Sequence, residues 1–240
     1  PQVGEEIFPL AVPGCYSETP GGQPLFGSVV ALMEAFGMTP DVGGVCARLA
    51  QAGYAAVEPD FYRGTIFAYD DIPGIMGRLQ SLDDDALMHD VGAALDFLLV
   101  QPMMDAGRVA VLGYCMGGRL AFLAGSRHAA RLQAVAAFYG GGIAPEGKDR
   151  FGRRAPILDA ENIRAPLLLV YGADDTGIPA AEHARVVTKL SELKKRYVLS
   201  VYPGAAHGFC CEDRAAYAPQ AAAQSFVELT GFLAQVFGPR

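Results

Sequence analysis

"VAVLGYCMGGRLAF", residues 109–122, decides how this chain folds. Residues of strand character, Val109–Tyr114, run into Cys115, and a helical pattern opens directly after it at Met116-Gly117-Gly118. A chain can leave a strand and enter a helix within about three residues only by straining the backbone of the central residue. Side chains two positions before and after would strike neighbouring backbone, and glycine stands at both, Gly113 and Gly117. The corner puts the central side chain at a helix N-terminus, where free N–H groups and the positive dipole end favour a thiolate. The plainer alternative is a small buried cysteine filling a corner.

With serine at its centre, G-x-C-x-G would be the nucleophile elbow of α/β-hydrolases, in which the acid and then the base come later along the chain. Both are present here. In "LLLVYGADDTGIP" a buried strand ends at Gly172 and two acids come after it, Asp174 and Asp175. The spacing from Gly172 and to Pro179 favours Asp175 as the carboxylate that orients a histidine; Asp174 is the alternative, and Asp175 is also placed to cap the next helix. In "VYPGAAHGF", His207 stands in a Gly/Ala loop just past the last strand. The other histidines, His89, His128 and His183, lie in helix-like segments among charged residues and read as exposed and solvated.

The rest of the chain supplies the frame. Strand and helix candidates alternate from Val29–Met33 onward, through a helix over 41–53, a strand over 54–60 and a helix over 83–100. Further strands are expected over 132–140 and 165–172, then a helix over 180–195, the strand "RYVLSVYPG" and a closing helix over 217–237. This alternation implies a mainly parallel central sheet with helices on both faces, in one domain of 240 residues. Residues 62–82 and 140–158, rich in Gly and Pro, read as long irregular loops bordering the binding site. With 51% hydrophobic and 19% charged residues the chain can fill a sizeable core. A net charge of −7 argues against nucleic-acid binding. No apolar run reaches the length of a membrane span, and "PQVGEEIFPL" lacks a signal peptide's basic start and apolar core. Five cysteines, an odd number without CxxC spacing, argue against a disulfide framework or structural zinc and fit a reducing, cytoplasmic setting. Cys210-Cys211 reads as two free thiols. No HExxH-like cluster calls for a metal, and no cofactor is implied.

These residues resemble the dienelactone hydrolases, or carboxymethylenebutenolidases. "GYCMGG" looks like that family's cysteine elbow, and "YGADDTGIP" and "YPGAAHGF" look like its acid and base loops. "ALMEAFGMTPDVGGVCARLAQAGYAAVEPDFY" is similar to its early strand, its glutamate-containing loop and the segment after that loop. The resemblance runs from about residue 27 to the C-terminus. It implies an α/β-hydrolase fold and a Cys115–His207–Asp175 triad that opens an enol-lactone ester. It also implies Glu34 near the thiol and an oxyanion hole from the N–H groups of Ala35 and Met116.

The expected chemistry is attack by Cys115, collapse to a thioester with loss of an enolate or alkoxide, and hydrolysis by water that His207 activates. Glu34 is expected to disfavour a resting thiolate by like charge and to take the thiol proton when substrate binds. The substrate pocket is the least specified part. Where carboxylate-handling relatives carry an arginine shortly after the histidine, this chain reads "HGFCCEDR", with Cys211 near that position and Arg214 beyond it. Arg78 or Arg63 in the 62–82 loop could supply another cation, and Phe36, Met38 and Tyr139 could line the pocket. The expected partner is a small-molecule ester or lactone, and the expected assembly a monomer or small homo-oligomer. A broad esterase or thioesterase on the same triad, or a non-catalytic ligand-binding homologue, are the alternatives.

Overall fold

The computed structural model describes residues 4–7, 13–17, 25–101 and 104–239. Its strands are β1 (Gly4–Ile7), β2 (Pro13–Ser17), β3 (Gly27–Leu32), β4 (Tyr54–Pro59), β5 (Val109–Tyr114), β6 (Ala134–Phe138), β7 (Leu167–Gly172) and β8 (Tyr197–Tyr202). They form one sheet in the order β1-β2-β4-β3-β5-β6-β7-β8. Neighbours from β4 through β8 pair in parallel, and β2 is antiparallel to both of its neighbours. Its helices are α1 (Pro40–Gln51), α2 (Ile72–Ser81), α3 (Asp84–Leu99), α4 (Met116–Arg127), α5 (Ala180–Glu192) and α6 (Pro219–Phe237), with a 3₁₀ helix over Pro156–Asn162. This is the α/β-hydrolase architecture that the family resemblance implied.

Strands β3 to β7 are buried along their whole length, as expected of parallel strands covered on both faces. Their side chains and the inner faces of the helices make one continuous apolar core. The edge strand β8 alternates between half-buried and exposed positions. All the parallel strands point their C-terminal ends to one rim of the sheet, which is where ligands bind in such folds.

Two regions differ from the sequence reading. Residues 62–82 are not all loop: Ile72–Ser81 is helical. Asp71 caps it by accepting the Gly74 N–H at 3.0 Å, and Pro73 sits in the first turn, where its missing N–H costs nothing. Gly74 and Gly77 had hidden that helix. The hairpin of β1 and β2, which no expected strand covered, extends the sheet beyond β4. Its strands are only four and five residues long and contain Pro13 and Gly14, too little periodicity to read.

Two histidines are not solvated as expected. His128 Nε2 lies 2.9 Å from the Met88 carbonyl, and burial lowers the pKa of the ring. His183 lies against the Tyr171 ring at 4.0 Å with Nε2 buried and without a partner, and burial lowers its pKa too. His89 is exposed.

Candidate active site

Cys115 is the N-cap of α4, with φ 54° and ψ −115°. A non-glycine residue held at positive φ costs of order 1–3 kcal/mol, so its surroundings must enforce it. They do. The Cys115 N–H donates to the Phe138 carbonyl at 3.0 Å, and the Gly117 N–H donates to that of Met33 at 3.1 Å. A Cβ on Gly113 would strike the Gly117 carbonyl, and one on Gly117 would strike that of Leu32. Backbone, not side chain, meets backbone here, which is why glycine stands on both sides of the thiol.

The expected acid and base, Asp175 and His207, follow neighbouring strand ends. Past β7, the Ala173 N–H donates to the Tyr202 carbonyl and the Asp174 N–H to that of Ala205, each at 2.9 Å. These bonds tie the acid loop to the base loop after β8. His207 Nε2 lies 3.0 Å from Cys115 Sγ, and His207 Nδ1 lies 2.7 Å from Asp175 Oδ2. Asp175 Oδ1 accepts the Gly177 N–H at 2.8 Å, so both carboxylate oxygens are engaged. Asp174, the alternative, is exposed, and α5 is capped by Pro179 rather than by Asp175.

These contacts set the electrostatics. Burial disfavours a charged His207, but its charge interaction and hydrogen bond with Cys115 and its bond to Asp175 outweigh that and raise the imidazole pKa well above its usual range. Burial likewise opposes ionisation of Asp175. The hydrogen bond and charge of His207, with the Gly177 and Ile178 N–H groups, win and hold its carboxyl below the ordinary value.

Among the described residues, neither the Ala35 nor the Met116 N–H has an intramolecular acceptor. The Ala35 segment is held in place from outside. Tyr62 Oη donates to the Ala35 carbonyl at 3.1 Å, and the Phe67 N–H donates to that of Phe36 at 2.9 Å.

Glu34 is buried, and burial raises its pKa against the opposing charges of Arg214 and His207. Its Oε2 accepts from Arg214 Nη1 at 3.3 Å, while Oε1 is buried without a partner. No hydrogen bond joins it to Cys115 among the described residues. Tyr139, at φ 38° and fully buried, packs its ring edge-on to His207 at 5.3 Å.

Cys115 and His207 open into a cleft of about 330 Å³, walled also by Leu79, Met116, Phe151 and Ile178. None of the residues expected to bind substrate lines it. Arg214 lies over the Phe36 ring and on Glu34. Arg78 lies over the Tyr62 ring and donates from Nη2 to the Phe61 carbonyl at 3.1 Å. Arg63 is paired with Asp90 at 2.8 Å. Cys211 is buried with its Sγ 3.4 Å from Tyr69 Oη, and Cys210 Sγ lies 3.7 Å from Ser225 Oγ; both are free thiols. Burial pushes their pKa values up, Cys210 to about 12 and Cys211 to about 11. The charged groups that do line the cleft are Arg119, Asp149, Arg150, Arg153 and Glu182. For Asp149, Arg150 and Arg153 the sequence signal was the basic run "GKDRFGRR" inside the 140–158 loop.

The model of the dienelactone hydrolase family matches residues 15–237. The chain belongs to the dienelactone hydrolase family. It is therefore related to enzymes that hydrolyse carboxylic esters. A Synechocystis protein named "Putative carboxymethylenebutenolidase" is 28% identical over 207 residues, 82% of this chain and 81% of that protein. A Bradyrhizobium protein named "Probable 2-oxo-3-(5-oxofuran-2-ylidene)propanoate lactonase" is 29% identical over 206 residues, 81% of this chain and 78% of its own. Among solved structures, a putative dienelactone hydrolase from Klebsiella pneumoniae superposes with a TM-score of 0.88 at 27% identity, covering 98% of both chains. No helix among the described residues is long and apolar enough to cross a membrane.

Proposed function

We propose that this family member hydrolyses an enol-lactone through a Cys115 thioester. The observation that carries the reading is the unbroken relay from Asp175 through His207 to the Cys115 sulfur, at 2.7 and 3.0 Å. In that reaction the thiolate adds to the lactone carbonyl, and the oxyanion takes hydrogen bonds from the Ala35 and Met116 N–H groups. Collapse breaks the ring C–O bond and expels an enolate, which takes up the thiol proton held by Glu34. Water, giving its proton to His207, then attacks the thioester and restores the thiolate. A thiolate is also a good leaving group, so forward collapse is favoured when the alternative leaving group is a stabilised enolate. That is the physical case for an enol-lactone over a simple alkyl ester. The Bradyrhizobium relative is named for such an ylidene lactone bearing a propanoate.

Glu34, with its raised pKa and an unpartnered Oε1, is the proton store of this scheme. Its carboxylate takes the Cys115 thiol proton when substrate enters and gives it to the departing enolate, and the proton that water leaves on His207 returns to the sulfur. The cell compartment proposed is the cytoplasm, in keeping with the free thiols.

The test is a substrate panel: a dienelactone, p-nitrophenyl esters and an acyl-CoA, with Cys115→Ala alongside. The dienelactone is expected to be turned over fastest, and Cys115→Ala to lose activity by on the order of 10³-fold or more. An acyl adduct on Cys115 should be visible by mass spectrometry after rapid acid quench. Preference for p-nitrophenyl or CoA esters would shift the reading to a broad esterase. Retained activity in Cys115→Ala would end it. Glu34→Gln that left turnover and Cys115 alkylation rates unchanged would remove Glu34 from the scheme.

A further inference from the structure

Tyr139 was expected to line the pocket, yet it is 1% exposed and no part of the cleft wall. Its backbone is strained, at φ 38° on a residue that carries a Cβ. The chain is clamped on both sides of it. The Tyr139 N–H donates to the Val170 carbonyl at 2.6 Å, and the carbonyl just before it, that of Phe138, accepts the Cys115 N–H at 3.0 Å. A Cβ on the next residue, Gly140, would strike the backbone of Gly118 and Arg119 at the start of α4. Strain of this kind persists only where the surroundings over-determine it, and it gathers at functional sites. Its meaning here lies in what the side chain reaches.

The ring meets His207 edge to face, with centroids 5.3 Å apart, and no other aromatic ring contacts His207 among the described residues. The same ring meets Phe209, two residues on in the base loop, also at 5.3 Å. Contacts of this geometry are directional, so they fix orientation as well as filling space. The far end of Tyr139 shares a small cavity of about 10 Å³ with Glu34 and Cys210, a cavity that has no lining residue in common with the substrate cleft. There the Tyr139 hydroxyl favours the charged form of the Glu34 carboxyl and of the Cys210 thiol. Arg214 and His207 act on Glu34 in the same sense, and Asp41 of α1 in the opposite one. Arg48, Glu58 and Tyr114 border the same cavity.

We infer that Tyr139 is a positioning residue that links the two proton carriers of the site: its ring holds His207 between Cys115 and Asp175, and its hydroxyl steadies the Glu34 carboxylate. The ring's part stands on contacts alone. The hydroxyl's part rests on the proposed reaction, in which Glu34 takes the thiol proton and passes it to the enolate. By favouring the charged carboxylate, the hydroxyl restrains Glu34 from taking that proton too early and makes it readier to give the proton up.

Two substitutions separate the two parts. Tyr139→Phe keeps the ring and removes the hydroxyl. Alkylation of Cys115 by iodoacetamide at neutral pH, followed on the Cys115 peptide by mass spectrometry, should then run about threefold to tenfold faster, because the carboxylate takes the thiol proton more readily. A tyrosine that only fills space would leave this rate unchanged or lower it. In a Glu34→Gln background the same substitution should leave the rate unaltered, since the group through which the hydroxyl acts is gone. Tyr139→Leu removes the ring. By proton NMR, the downfield Nδ1 proton of His207 should persist in Tyr139→Phe and disappear in Tyr139→Leu, with kcat on the ester lowered by about tenfold and KM unchanged. If Tyr139→Leu does not fold, Tyr139→Met reads the same contact. An alkylation rate that stays the same in Tyr139→Phe, or rises equally with and without Glu34, overturns the hydroxyl's role. A His207 resonance that survives loss of the ring overturns the other. A wild type unable to open lactones would sink the proposed reaction, and neither the alkylation nor the NMR comparison depends on that result.

Discussion

Two walls of the same cleft are held by different means. On the strand-end wall, Cys115, Asp175 and His207 each stand within five residues of the end of β5, β7 or β8, fixed by backbone bonds between adjacent loops. On the arginine wall, Arg119 is fixed by Asp84, 35 positions away in sequence, and Arg153 by Asp149 in its own loop. In the proposed reaction the first wall places the reacting atoms and tolerates little displacement. The second holds charge with side chains and leaves donors unpaired. The difference can be broken by changing single residues on each side.

The largest effect is expected at Asp175. Asp175→Asn keeps the shape of the acid but removes the charge that orients and stabilises protonated His207. Turnover is expected to fall on the order of 10³-fold, while Asp174→Asn, one position away and exposed, should stay within about twofold. Steady-state kinetics on the preferred ester decides it, and equal losses in the two variants would break the assignment. The pH dependence of stability gives a second reading. The Asp175 carboxyl is held below its ordinary value in the folded protein. Its contribution is therefore complete above the unfolded pKa of about 3.9 and fades as pH falls through the depressed folded value. Asp175→Asn should flatten that acid limb in urea titrations. His207 runs the other way. Its raised pKa contributes fully below about 6.5, and that contribution is lost as pH climbs through the folded value.

Next in size is Gly117→Ala. The added methyl would meet the carbonyls of Leu32 and Met33, and neither strand end can move without moving the elbow. A loss of about 2–4 kcal/mol is expected from such a clash, read as a lowered urea midpoint. Activity should drop by on the order of 10²-fold even where the variant is folded, because a thiol displaced by about 1 Å misses the reacting carbon. Unchanged stability would mean that the elbow is looser than its contacts imply.

The same contrast governs how far each wall was legible in the sequence. The strand-end wall is written locally: Gly113, Gly117 and Gly172 sit within a few residues of Cys115 and Asp175, and the order Cys115, Asp175, His207 survives in one dimension. The distances between those side chains needed the fold, yet each position carried its own mark. The arginine wall carries no such mark. Arg119 was in plain view beside the thiol and read as one more helical residue, because nothing near it names Asp84 as its partner. Arg78 and Arg214 were visible as arginines in the right neighbourhood, but a ring beneath each and an internal acceptor take them out of the cleft. The helix α2 was lost for a simpler reason. Two glycines and a proline in ten residues look like loop, although the proline is in the first turn and the glycines face open or capped positions.

That helix supplies the smallest and most discriminating prediction. Gly77 lies mid-way along α2, exposed, and a Cβ there would meet nothing within 4 Å. Gly77→Ala adds no contact and removes backbone freedom from the unfolded chain, so it should raise stability by about 0.5–1 kcal/mol. The same substitution that breaks the elbow at Gly117 would then strengthen the molecule at Gly77. The gain is measurable as a rise in the urea midpoint with an unchanged slope, since no surface is newly buried. Because Leu79 of the same helix lines the cleft, the kinetics of Gly77→Ala add information. A firmer α2 with unaltered kcat and KM means that substrate enters without α2 unwinding. A gain in stability joined to a slower turnover would place the loosening of this helix inside the catalytic cycle, and the arginine wall would then be facing a moving partner.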